Sequence, residues 1–349
     1  MNTSHFQTIS KGRPRGAQSG VTLVELLVAM GLGLLVVLVA ATALMMSRQG
    51  YTAVDNTTQL RDRERFATDL IARVVVQAGY QDYAAANLTT RSAAKLIGID
   101  PEPDIYGWNN AVYKQPSDKT MSVIADIVDG NRPGAATCSA TDTSCKNGSD
   151  VLVVRYQGVS SSTNVNVSDN TMINCSGQGE RGLLTGDLNE RAISIFSVAR
   201  GADGEPGLYC AYYNDTTGAW TPNRPLIEGV ESFQVLFGTD GVTPSAPPLA
   251  AAIQDTIAER WLRADQLKVP GNVAATRENW RRVRAVRVGL IFRGPVGSAQ
   301  QAVTSTIAPL GAAYVSAGDT GSSLTVAADT RLRQTATFTV HLRNDLTLK

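Results

Sequence analysis

Apolar positions first crowd together between Gly20 and Met46. The stretch reads Gly20-Val21-Thr22-Leu23-Val24-Glu25-Leu26-Leu27 and stays apolar through Leu44, Met45 and Met46. From Leu26 to Met46, 21 residues, there is no charge. About 20 apolar residues in a helix cross the hydrocarbon core of a bilayer. Past Ser47 and Arg48 the spacing predicts a helix that continues to about Ala78, with Gly79 as its stop signal. Phe66, Leu70, Ile71, Val74 and Val75 fall on one face of it. Arg61, Asp62, Arg63, Glu64, Arg65, Asp69 and Arg73 fall on the other, with Arg65–Asp69 and Asp69–Arg73 as oppositely charged pairs four apart. One helix from Thr22 to Ala78 would be roughly 85 Å long at 1.5 Å per residue, with Gly50 as a possible bend. Gly31 and Gly33, with Ala29, Ala40, Ala41 and Ala43, are small residues of the kind that let membrane helices approach closely.

Residues 80–149 lose this order. Pro101, Pro103, Pro116 and Pro133 interrupt them, so the segment reads as an irregular connection. From Asp150 the period becomes two. Val151–Tyr156, Ile193–Val198, Gly207–Tyr212, the second part of Pro225–Gly238, Arg284–Arg293 and Thr335–Arg343 read as strands. Residues 158–170 read as a loop or hairpin, 242–255 and 294–330 as loops, and Ala264–Leu267 as a short helical turn. The organisation expected is 1–20 as a leader, 21–79 as a helix whose transmembrane half is about 26–46, 80–149 as a connection, and 150–349 as a β-rich domain. The class is α+β, one long N-terminal helix packed on an antiparallel sheet. An exposed sheet edge offers a route for pairing with a neighbour, and Val151–Tyr156 and Arg284–Arg293 are the candidate edges.

Charge sharpens the picture at the N-terminus. The formal net charge is +1, and Lys11, Arg13 and Arg15 stand in a leader that holds no acid. Positive flanks stay cytoplasmic, which places the N-terminus inside and the body outside. The nearly neutral body carries no electrostatic footprint for nucleic acid. A secretory signal has an apolar region of about 7–15 residues followed by a cleavage site; this run is longer and has an acid at its front. A plain signal anchor has no use for Glu25, since an acid near hydrocarbon costs on the order of a few kcal/mol, partly offset by the helix dipole.

The four cysteines, Cys138, Cys145, Cys175 and Cys210, lie beyond the apolar run, on the oxidising side, and suggest two disulfides. Four cysteines allow three connectivities. Cys138 and Cys145 enclose a small polar loop, and Cys175 and Cys210 could join a loop to a strand. The acidic clusters Asp100, Glu102, Asp104 and Asp126, Asp129 read as solvated turns rather than a calcium site. No metal or cofactor is expected. The two histidines, His5 in the leader and His341 in the last strand, leave no base for a serine triad. No phosphate-binding glycine loop or zinc-binding HExxH spacing is present. His341 reads as a satisfied structural histidine, and Glu228 and Glu231 as solvated or capping residues at a turn. An enzyme is not expected.

Gly20 followed by Val21-Thr22-Leu23-Val24-Glu25 resembles the class III signal of type IV pilins and pseudopilins. The resemblance implies cleavage between Gly20 and Val21 by a prepilin peptidase and methylation of the Val21 amine. Glu25 would then be the fifth residue of the mature chain, compensating the terminal amine of a neighbouring subunit, an attraction far stronger in low dielectric than in water. Val21 stands where the family usually has Phe. The order of segments 149–156, 208–210, 225–240, 280–294 and 331–345 resembles the PilW family of minor pilins. That implies a low-abundance inner-membrane protein, single-pass with its body in the periplasm. It would join other minor pilins and the major pilin in priming assembly and end at the filament tip. A tip adhesin is a further partner, and twitching motility and adhesion would be supported. The alternatives are a pseudopilin of type II secretion and a membrane-anchored periplasmic binding protein outside any filament.

Overall fold

The computed structural model describes residues 20–81, 103–113, 115–116, 147–184, 191–215, 217–221, 224–248, 256–299 and 301–344. The basic leader, Cys138, Cys145, Asp100, Glu102 and the pair Asp126, Asp129 lie outside them. Contacts divide the chain into two compact units that meet within helix α1 (Leu23–Val76), one ending at Thr52 and the other beginning at Ala53.

In the first unit α1 is exposed along its whole apolar run: Leu23 is 74% exposed, and Leu26, Leu34 and Met46 are uncovered with it. The helix is long and apolar enough to cross a membrane, with a mean hydropathy of 2.7 in its most apolar window. So much uncovered apolar surface requires lipid or other helices against it.

In the second unit α1 turns amphipathic. Leu60, Ala67, Ile71, Val74 and Val75 are buried, a stripe at helical spacing. Phe66, placed on that face by its sequence position, is instead exposed, and Leu70 is half-buried. The stripe steps from Leu60 to Ala67, a seven-residue interval that leaves Phe66 about 100° away. Arg65, Asp69 and Arg73 stay in solvent and close no ion pair among the described residues. The helix ends where Gly79 turns at φ +72°, a backbone angle glycine adopts without penalty.

The strands follow in order: β1 (Ile105–Trp108), β2 (Val151–Tyr156), β3 (Ala192–Arg200), β4 (Pro206–Asn214), β5 (Ala219–Trp220), β6 (Arg224–Glu228), β7 (Val230–Thr239) and β8 (Arg260–Leu262). Two short helices, α2 (Ala264–Leu267) and α3 (Val273–Arg281), lead to β9 (Val283–Arg293), β10 (Val303–Ile307), β11 (Leu324–Asp329) and β12 (Arg333–His341). All pairing is antiparallel. One sheet runs β1-β2-β3-β4-β5 with β6 also on β4; a second runs β12-β9-β7-β8; β10 and β11 form a two-stranded ribbon. Asp150 joins the sheets: its backbone N–H donates to Phe233 O at 2.8 Å, and its carboxylate accepts from the N–H groups of Val235 and Asn110 at 2.7 and 2.9 Å.

Several expectations need correction. The connection 80–149 contains β1, paired with β2 along its length. The stretch 294–330 contains β10 and β11, whose Leu324 and Val326 pack with Ile307 on Ile291, covering the face of β9 turned away from the main core. Neither candidate edge is an edge, because β2 lies between β1 and β3, and β9 lies between β12 and β7. Both are buried on two faces, with the adjacent pairs Leu152, Val153 and Leu290, Ile291 inaccessible, and being paired on both sides they have no free backbone to offer. Strand β8 and helix α3 went unmarked by the apolar pattern, since α3 buries only Asn279 and Trp280.

Candidate processing and assembly site

The site begins where the charge-free run begins. Gly20 and Val21 are exposed and outside the helix, and Val21 shows 70% of its surface. A peptide bond in uncovered backbone outside a helix is accessible to a peptidase. Thr22 and Glu25 then start α1 as a reciprocal cap. The Glu25 N–H donates to Thr22 Oγ1 at 3.2 Å, and the Thr22 N–H and hydroxyl donate to Glu25 Oε2 at 3.1 Å each. Such a capping box satisfies two of the backbone N–H groups that a helix start leaves unpaired. The carboxylate also stands at the positive end of the helix dipole. Sequence reading assigned Glu25 only a role toward a neighbour; the threonine three residues before it was the signal for the cap. Among the described residues no cation pairs with Glu25.

In the body, Cys175 and Cys210 are joined in a disulfide, 35 residues apart and both buried. It ties the loop after β2 to the middle of β4. The same loop is held to the end of α1, where Gln77 exchanges two hydrogen bonds with the backbone of Ile173 at 3.0 and 2.9 Å. Tyr156 Oη donates to Ile173 O at 2.9 Å, and burial raises its pKa well above the ordinary value, with the Glu180 charge adding to the shift and a hydrogen bond with Ser194 opposing it.

A charged network missed in the sequence knits strand ends together. Arg333 pairs with Glu231 and Asp329 at 2.7 Å each, Arg293 with Glu231 at 3.1 Å and with Glu205 at 2.8 Å, and Arg331 with Glu205 at 2.8 Å. Glu231 is buried in β7 rather than solvated at a turn. Burial alone would raise the Glu205 carboxyl; hydrogen bonds and charge from Arg331 and Arg293 outweigh it and hold the group below its ordinary value. Asp329 is held low by its hydrogen bond from Arg333, against burial. The alternation of arginine with apolar residues in β9 and β12 carried this signal, but apart from Asp329, four residues from Arg333, the acidic partners Glu205 and Glu231 are too far along the chain to be visible in a linear pattern. Asp104, from the first acidic cluster, pairs with buried Arg191.

Among the described residues no group of three His, Cys, Asp or Glu is placed to hold a metal ion. His341 stands exposed at the end of β12, paired through its backbone with Ala285, and is not enclosed as a structural histidine. The arrangement offers an exposed junction, a capped membrane-length helix whose acid meets no cation among the described residues, and a cross-linked β body.

Two family models match the chain. Residues 195–344 match the one described as Type IV Pilus-assembly protein W, and residues 15–41 match the prokaryotic N-terminal methylation motif. The first begins in β3 and closes just past β12; the second takes in Arg15, Gly20, Glu25 and the first part of α1. Among solved structures, a type IV-like pilin from Thermus thermophilus is similar at 15% identity, over 82% of this chain and 96% of that one, with a TM-score of 0.35. No curated protein matches.

Proposed function

We propose that this chain, a type IV pilin-like protein of the PilW family, serves as a minor pilin that helps prime pilus assembly and sits at the filament tip. Its prepilin signal implies processing by a prepilin peptidase. In this reading the cut falls between Gly20 and Val21, and the new Val21 amine is methylated. The protein waits in the inner membrane with its body in the periplasm until it joins other minor pilins and the major pilin. A tip adhesin is then bound by the complex, and twitching motility and adhesion depend on it.

The observation that carries this reading is the Glu25 carboxylate, without a cation partner among the described residues, at the head of an apolar helix that no described residue covers. A membrane anchor alone would be cheaper without it. An acid kept there has a purpose once another chain's ammonium is brought against it in low dielectric. Deletion of the gene tests the role. The expected result is loss of surface pili and of twitching, with secretion intact. Loss of type II secretion with normal pili would transfer the protein to the pseudopilins, and no effect on either would leave a membrane-anchored binding protein.

A further inference from the structure

A groove of about 370 Å³ lies in the second unit between residues 62–66 of α1 and strand β6. Phe66, Pro225 and Leu226 form its apolar part, and the exposed carboxylates of Asp62 and Glu228 stand at its rim. Phe66 is 56% exposed, while its helix neighbours Leu60 and Ala67 are buried. An aromatic ring standing open beside an exposed proline is an unfilled contact, since large aromatics contribute most of their binding energy when covered.

The groove also shows how it is not used. Strand β6 is an edge, hydrogen-bonded only to β4. Gly229 donates to Pro206 O at 2.7 Å, so in the antiparallel ladder the Glu228 carbonyl beside it points away from β4. That carbonyl is taken by Arg63, whose Nη1 donates to it at 3.4 Å. Pro225 has no N–H to give. These two features weaken the edge as a template for an added strand and leave the open Phe66 ring as the groove's main contact. Among the described lining residues two carboxylates stand against the Arg63 guanidinium, an excess of negative charge.

We propose that this groove docks a neighbouring pilin subunit, through an apolar side chain seated over Phe66 and a lysine or arginine of that subunit facing Asp62 and Glu228. The proposal rests on the minor-pilin reading and adds the surface through which the body is held. An apolar centre with a charged rim is the ordinary anatomy of a protein interface. The rim charge selects a basic partner and disfavours an acidic one.

The test uses the full-length tagged chain in its own host, purified from detergent-solubilised membranes, with each co-purified pilin quantified. Phe66→Ala and the double variant Asp62→Lys, Glu228→Lys are each expected to lose one and the same pilin by roughly tenfold, the effect of removing one good anchor. All three side chains are exposed, so the melting temperature should hold. Reversal of the partner's basic residue to Glu should restore binding to the lysine variant. Unchanged recovery of every pilin with both variants overturns the groove and leaves the minor-pilin reading standing. Loss confined to self-association would assign the groove to a second copy and also overturn it. A wild-type chain that recovers no pilin at all contradicts the minor-pilin reading itself.

Discussion

In the single chain, one oxygen of Glu25 is already occupied by Thr22, and a cut after Gly20 would leave this cap intact because both residues follow it. The carboxylate can thus start the helix and still offer its other oxygen to an incoming amine. Replacement by alanine removes both contributions unequally. The lost cap costs about 1 kcal/mol in an otherwise long helix, which does not stop insertion. The lost charge leaves the partner's ammonium without compensation. Glu25→Ala is therefore expected in the membrane fraction at normal levels but absent from co-purified pilin complexes, and recovery equal to wild type would contradict the role given to the acid. The second residue-level prediction concerns Glu205 and Asp329, both held below their ordinary values of 4.5 and 3.8. A carboxylate depressed in the fold adds stability that is fully present above its unfolded pKa and lost as the pH falls through its folded pKa. Thermal melts of the protein should thus show a falling midpoint below about pH 4.5, and Glu205→Gln should melt lower than wild type at neutral pH and lose less on acidification. A variant as acid-sensitive as wild type would remove Glu205 from the account.

Among elements, the covering of the second sheet is the part most open to test. Strand β9 turns Val286, Val288, Leu290 and Phe292 to the main core and Ile291 to the ribbon. Between these, Gly289 admits the loop that follows β10: a Cβ there would meet Pro309 O at 2.5 Å. Thr337 Oγ1 of β12 donates to the same carbonyl at 2.7 Å. Gly289→Ala should push the loop off the sheet and cost about 1–3 kcal/mol, the usual size of overpacking, seen as a lower melting midpoint and faster proteolysis at residues 308–322. A midpoint equal to wild type would show that the loop does not press on the strand. Dense runs of Val, Ile, Leu and aromatic residues made most of the long strands legible, and these strands are buried on both faces. That signal failed for β10, whose residues are mostly exposed, and for β1, four residues among prolines. The helix was legible in extent, but its buried face was misjudged at Phe66, because a charged neighbourhood of five residues hides which of two adjacent apolar positions turns inward.

At the scale of the whole molecule, the two ends of the chain carry different kinds of information. The N-terminal motif was legible nearly residue by residue, since glycine, acid and uncharged run must follow one another in a fixed order. In the body, Cys175 and Cys210 could be named as a possible loop-to-strand link but not chosen over the other pairings, because pairing is decided by how β3 and β4 bring residue 210 beside the loop at 175. The ion-pair network and the groove were out of reach for the same reason, being made by strands and helix that meet only after folding. The function rests on the N-terminal end. The most direct measurement is the intact mass and N-terminal sequence of the protein isolated from its native membranes. The account predicts a chain beginning at Val21 and bearing one methyl group on its amine. A chain that still begins at Met1, or is cut beyond Glu25, contradicts it.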